Sequence, residues 1–200
     1  GAIMPPHDKD AALLPVRIDG AWALIHRPVG GPRAHMWISY SNDLIHWGDH
    51  RILLESRRGS WWDANKIGLS PPPIRTPQGW LVIYHGVRET CSGCLYRLGL
   101  ALFDLERPDV CLIRGEPWIF GPEEHYERFG DVNNVVFPCG LTINPDGDTL
   151  NLYYGAADTC IAVAMGSLKK LLSWLEEFGR VIAVREGDEI IVLDHNPTDG

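Results

Sequence analysis

The sequence predicts an all-β fold, part of a β-propeller with about three blades present and one short C-terminal helix. Three observations predict it. Turn formers abound: 21 Gly and 15 Pro make 36 of 200 residues, or 18%, against roughly 12% in average usage. The chain is also 45% hydrophobic and carries eight Trp, so the excess of turn formers belongs to a compact chain, not a disordered one. The third observation is a hairpin plan that occurs three times. The length suits one domain with a sizeable core.

The repeated segments are KDAALLPVRIDGAWALIHRP (9–28), NKIGLSPPPIRTPQGWLVIYHG (65–86) and NNVVFPCGLTINPDGDTLNLYYG (133–155). Each begins with polar residues, runs through a small or apolar strand to a Pro, and turns at D-G, Q-G or D-G. A strongly apolar strand follows: Trp22–Ile25, Trp80–Tyr84 and Leu150–Tyr154. Turn dipeptides between apolar runs are the hairpin signal. The turn glycines Gly20, Gly79 and Gly147 stand 59 and 68 residues apart, leaving room for two outer strands per unit. Ala34–Tyr40 and Arg51–Leu54 are candidates in the first unit, Tyr96–Phe103 and Val110–Ile113 in the second. The blades then cover about 9–57, 61–120 and 131–166 of a single partial propeller domain spanning 1–200.

The segment 167–193 closes the domain with the helix and a hairpin. Leu168, Leu171, Leu172 and Leu175 recur at helical spacing, with Ser167 as N-cap and Gly179 just past the end. A closing hairpin of Val181–Val184 and Glu189–Leu193 is expected around Glu186-Gly187-Asp188. Three blades are too few to close, since propellers typically have four to eight. The open sheet edges are an association liability, so a homo-oligomer, most simply a homodimer, is expected.

Charge and cysteine use narrow the function. Lys+Arg 18 against Asp+Glu 26 gives a net −8, which disfavours nucleic acid as a partner. No apolar run approaches the ~18 residues of a membrane span, and Gly1 to Asp10 shows no secretory signal. The five cysteines are odd in number and irregularly spaced, so neither a disulfide framework nor a metal site is expected, and the cytoplasm is the default location. Cys91 and Cys94 form a C-x-x-C in a polar loop, not at a helix start.

In a hairpin, the start of the first strand and the end of the second lie together, opposite the turn. That end is polar in all three units. It offers Lys9, Asp10, His26 and Arg27; then Asn65, Lys66 and His85; then Asn133, Asn134, Tyr154 and Asp158. Stacked blades would bring these to one channel mouth. Lys9, Arg27, Lys66 and His85 would form an anion site, and Asp158 with the Asn pair would suit sugar hydroxyls. Bland readings stand beside these: solvated charges for each Lys and Arg, a satisfied core histidine for His85, and a loop cap for Asp63. Ser41-Asn42-Asp43 with Trp47 reads as a turn-stabilising box.

The strings DKDAALLP…HRP, SNDLIHW, KIGLSPPPIRTPQGWLVIYHGV, YRLGLALFDLERPD, YERFGDVNNVVFPCG and LYYGAAD resemble glycoside hydrolase family 130, the β-mannoside phosphorylases and related mannosidases. The resemblance runs from about Asp8 to Leu175. It implies a five-bladed propeller of which this chain holds the C-terminal part. It implies inverting phosphorolysis of β-mannosides to α-mannose 1-phosphate, with inorganic phosphate as co-substrate and no cofactor.

By resemblance, Arg27, Lys66 and His85 fall on phosphate-binding positions, with Lys9 beside them. Asp158 falls on a mannose-binding position, with Asp10, Asn134 and Tyr154 as further substrate-binding candidates. Where this chain has Lys9-Asp10 the family commonly has Arg-Asn. A carboxylate beside an anion site is unfavourable unless paired, which keeps hydrolysis as the alternative. The family's general-acid Asp belongs to blades upstream of this sequence. Glu123, Glu124, Glu127 and Asp131 gain no such role from their motifs, so whether the chain is itself an enzyme, or a non-catalytic binder of a glycan or sugar phosphate, stays open.

Overall fold

A computed structural model describes residues 2–69 and 71–193. Gly1, Ser70 and residues 194–200, which fall within the expected 1–200 domain and its second repeat, lie outside the described residues. The chain is mostly β with two short helices, arranged as three stacked antiparallel sheets and a small terminal hairpin.

The first sheet runs in chain order through β1 (Asp8–Leu13), β2 (Trp22–Pro28), β3 (Met36–Ser41) and β4 (Gly48–Leu54). Asp19 and Gly20 both take positive φ, 48° and 82°. That matches the primed turn whose twist suits a two-residue hairpin. Between β3 and β4, Ser41 Oγ accepts the Leu44 amide, and Asp43 Oδ1 accepts the amides of Ile45 and His46. The expected turn box is thus a self-bonded loop.

The second sheet contains β5 (Lys66–Gly68), β6 (Ile74–Thr76), β7 (Gly79–Thr90), β8 (Gly93–Phe103) and β9 (Cys111–Gly115). Both β5 and β6 pair with β7. They form one strand interrupted at Pro71–Pro73, because a residue without an N–H cannot continue a ladder. Gly79–Val87 of β7 and Leu98–Phe103 of β8 are buried on both faces, so those stretches read as near-continuous apolar runs.

A single-turn helix α1 (His125–Arg128) leads to the third sheet, β10 (Val136–Ile143), β11 (Thr149–Ala156) and β12 (Cys160–Ser167). Helix α2 (Leu168–Phe178) follows directly. Ser167 Oγ caps it by accepting the Lys170 amide, and Leu168, Leu172 and Leu175 are buried. One apolar cluster fills the space between the first and second sheets. A second lies between the second sheet, the third sheet and α2.

The expected closing hairpin forms around Gly187, but it starts at Ala183 and not at Val181. β13 (Gly179–Val181) adds to β9 as the outer strand of the second sheet, and only β14 (Ala183–Glu186) and β15 (Glu189–Val192) pair with each other. Helix α2 carries the chain back over the second sheet. A Cβ at Gly179 would lie 2.5 Å from Ile113 Cγ2, so the glycine lets the chain settle against β9 before the hairpin starts.

Candidate functional site

The site begins with an irregularity in β1. Lys9 pairs with Arg27 but Ala12 pairs with Ile25, so one extra residue is inserted between them. Asp10, within this bulge, has φ 53°. In a regular strand Asp8 and Asp10 would share a face. Here Asp8 Oδ2 meets His26 Nδ1 at 2.6 Å, while Asp10 Oδ2 meets Arg27 Nε at 2.6 Å. Bulges re-aim side chains in this way. His26 and Arg27 are consecutive in β2 and project to opposite faces, so the two carboxylates serve different networks.

The second sheet supplies the opposing wall. His85 Nε2 lies 3.4 Å from Asp10 Oδ2. Its strand partner Gly68 makes that approach possible: a Cβ there would sit 2.4 Å from Asp10 Oδ2 and 2.9 Å from His85 Cε1. The third sheet contributes Phe137, whose ring centroid is 4.5 Å from that of His85, and Tyr96 of β8 stacks at 6.5 Å.

Burial raises the Asp10 carboxyl above its ordinary range, against the opposing pull of Arg27. Burial, and then the charge of Arg27, push His85 down to about 3. His85 is therefore neutral, a hydrogen-bonding wall rather than the cation that an anion cluster suggests. The contact of Asp10 Oδ2 with Arg27 Nε is a close ion pair with poor hydrogen-bond alignment. Neither atom has a hydrogen-bond partner, and buried His85 Nδ1 has none either.

Lys66 is half exposed, and its Nζ lies 2.8 Å from Glu89 Oε1; that hydrogen bond holds its pKa above the usual lysine range. Tyr96 links the remaining charges. Burial first, and then Cys94, raise its phenol; Lys66 and Arg27 draw it down, and Asp158 raises it. Lys66, Arg27 and Asp158 thus lie within electrostatic reach of one phenol. Lys9 is exposed on β1 opposite Arg27.

Asn134 is exposed, has φ 59°, and donates its amide to the Arg128 carbonyl. Tyr154 is buried and donates its hydroxyl to Glu127 Oε1 at 2.6 Å. The amides of Glu123 and Glu124 donate to Glu127 Oε2. Burial alone would raise Glu127, but these donors hold it below the usual carboxylate range. It stays ionised, unsuited to donating a proton. Arg27, Asp10 and His85 are in contact; Asn134 and Tyr154 belong to the α1 side of the third sheet.

Sequence reasoning missed Tyr96, Phe137 and Gly68. Their only signal was position: Phe137 at a strand start, Gly68 within K-I-G. It also missed a hydrogen-bonded chain on the other face of the first sheet. Asp8 reaches His26, His26 Nε2 reaches Ser39 Oγ at 2.7 Å, and Ser39 Oγ reaches His50 Nδ1 at 2.7 Å. This chain borders a cavity of about 660 Å³ that Trp37 and His35 also line. Asp63 is no loop cap. It is fully buried, 2.7 Å from Arg114 Nη2 and 3.6 Å from Arg57 Nη1, and accepts the Tyr84 hydroxyl at 3.0 Å.

The model for glycoside hydrolase family 130, described as beta-1,4-mannooligosaccharide phosphorylase, matches residues 3–177. A beta-1,4-mannooligosaccharide phosphorylase of Ruminococcus albus is 34% identical over 179 residues, covering 88% of this chain and 53% of that one. The solved beta-1,2-mannobiose phosphorylase of Listeria innocua, in complex with beta-1,2-mannobiose, superposes with TM-score 0.82 at 38% identity. It covers 88% of this chain and 49% of that one. A second structure, from work describing GH130 mannoside phosphorylases that include glycoside hydrolases targeting beta-1,2 mannosidic linkages in Candida mannan, gives TM-score 0.68 at 27% identity. There the match covers 80% of this chain and 49% of that one. The chain spans about half the length of the curated relatives it matches.

Proposed function

The chain belongs to glycoside hydrolase family 130, and we propose that it carries the phosphate and mannose subsites of a β-mannoside phosphorylase. The observation that carries this reading is the Arg27–Asp10–His85 cluster. A buried cation faces a neutral imidazole, and both keep unused hydrogen-bonding atoms. The charges of Lys66 and Asp158 act on the same phenol, that of Tyr96, in opposite directions.

In this reading a phosphate oxygen attacks the anomeric carbon from the face opposite the glycosidic oxygen. The bond to the aglycone breaks, the leaving oxygen takes a proton from a general acid, and α-mannose 1-phosphate results. Arg27 and Lys66 offset the charge of the nucleophile as the sugar becomes oxocarbenium-like, and Asp158 holds the mannosyl hydroxyls. No side chain is needed as base, because phosphate is already the nucleophile. The reading includes three consecutive blades of a five-bladed propeller, no cofactor, and a cytoplasmic setting.

One observation favours hydrolysis as the second reading: Asp10 already neutralises Arg27, which suits water better than phosphate. The similar structure associated with mannan-directed hydrolases supports that alternative within the family. The test is to incubate the purified chain with β-1,4- and β-1,2-linked manno-disaccharides, with and without phosphate. Phosphate-dependent mannose 1-phosphate supports the phosphorylase and means that a general acid is supplied from within these residues or across an oligomer. Free mannose without phosphate would favour the hydrolase, and binding without turnover would leave a non-catalytic module for a glycan or sugar phosphate.

A further inference from the structure

We propose that Asp10 is a specificity-determining residue: its carboxylate holds the guanidinium of Arg27 when no ligand is bound and competes with phosphate for it. This inference rests on the reading of the cluster as a phosphate subsite.

Two separate features of the backbone place this carboxylate. The bulge in β1 gives Asp10 a φ of 53°, in the left-handed region that side chains other than glycine enter at a cost. Gly68 then leaves the space the carboxylate fills, since a Cβ there would lie 2.4 Å from Asp10 Oδ2. With the regular strand parity, Asp10 would have faced the Asp8–His26 side instead.

The pair it forms is incomplete. Asp10 Oδ2 and Arg27 Nε are 2.6 Å apart, yet neither is satisfied by a well-aligned hydrogen bond, and His85 Nδ1 is also buried without a partner. These are three of the five orphaned buried side-chain atoms among the described residues. An internal carboxylate thus occupies the cation without using the donors around it. A tetrahedral oxyanion has enough acceptors to use them, but it would have to sit beside Asp10, and adjacent like charges are costly.

The competition has a direction with pH. Arg27 on β2 and His85 on β7 touch Asp10, and the charges of Lys9 and Asp8 on β1 act on it. Burial raises the Asp10 carboxyl, so it protonates above the ordinary carboxylate range and releases Arg27 as pH falls. His85, pushed down to about 3, stays neutral meanwhile.

The test is calorimetric titration of the full chain and of Asp10→Asn. Inorganic phosphate is titrated at pH 7.5, and sulfate, whose charge is constant over this range, from pH 8 to pH 4.5. Asp10→Asn is expected to bind phosphate roughly tenfold or more tightly than the unaltered chain. The unaltered chain is expected to gain sulfate affinity as pH falls, and the variant to lose most of that dependence. Equal phosphate affinity in both overturns the competitor role and leaves the subsite reading intact. No binding by either, with the variant folded by circular dichroism, overturns the subsite reading and this inference with it. If Asp10→Asn does not fold, the sulfate profile of the unaltered chain decides: a flat profile overturns the proposal.

Discussion

The hydroxyl of Tyr154 donates to Glu127 Oε1 at 2.6 Å, across the junction between β11 and the single-turn helix α1. Two backbone amides occupy the other carboxylate oxygen. A four-residue helix cannot hold itself in water, so this carboxylate is what fixes the segment leading into the third sheet.

Tyr154→Phe is expected to destabilise the fold by about 1.5–3 kcal/mol at pH 7, the usual worth of a hydrogen bond to a charged group. The pH dependence has a definite sign. Glu127 is depressed in the folded state, so its stabilisation is fully present above the unfolded carboxyl pKa of about 4.3. It is lost as pH falls through the lower folded value. Urea unfolding at pH 7 and at pH 3 checks this: the gap between the unaltered chain and the variant should narrow at the lower pH.

Ser39→Ala removes the hydroxyl that bridges His26 and His50. His26 is 2% exposed, so its Nε2 would be stranded away from water, at a cost of about 1–3 kcal/mol. His50→Ala removes only the exposed end of the chain and should cost clearly less. Denaturant midpoints of the two variants should fall in that order; the reverse order would mean that the hydroxyl does not serve His26.

Gly86 and Gly99 leave room for one ring. A Cβ at Gly86 would lie 2.4 Å from Trp62 Cζ3, and one at Gly99 would lie 2.5 Å from Trp62 Cη2. The same indole stacks on Tyr84 with centroids 5.5 Å apart. Either Gly→Ala change should cost about 1–3 kcal/mol by overpacking, lowering Tm by on the order of 3–10 °C. A shift in tryptophan emission should accompany it as Trp62 is displaced.

The outer face of β12 exposes Ile161 and Met165 at 78% and 77%, with Val163 between them. Apolar residues alternating along an exposed strand favour association. Sedimentation velocity should show concentration-dependent self-association, and Ile161→Asp should shift the distribution toward monomer. A purely monomeric profile for the unaltered chain would sink the expectation of a homo-oligomer.

Legibility followed locality. The turns at Gly20, Gly79 and Gly147, and the helix from Leu168 with its Ser167 cap, were readable because turn and capping chemistry is set by neighbouring residues. The closing hairpin around Gly187 was readable in the same way, but its start was placed too early, because a distant strand, β9, offered Val181 a partner. The candidate site divides in the same way. The polar strand ends announced Arg27, Lys66 and His85. The neutrality of His85 did not show, since it depends on burial between three sheets. Phe137 and Tyr96 read as ordinary strand aromatics until the sheets were stacked. Glu127, visible as one carboxylate among several, could be set aside as an acid only when its three donors were known.

The bulge in β1 makes local chain length a determinant of the site. On a regular strand an aspartate pair spaced two apart shares one face and its partners. The single inserted residue separates the two. Asp8 bonds His26, which bonds Ser39, while Asp10 pairs with Arg27 in the space that Gly68 leaves. A one-residue deletion in this stretch would therefore turn both carboxylates to one face, so the chain's length at 9–12 matters more to the site than the identity of Ala11, whose side chain faces solvent.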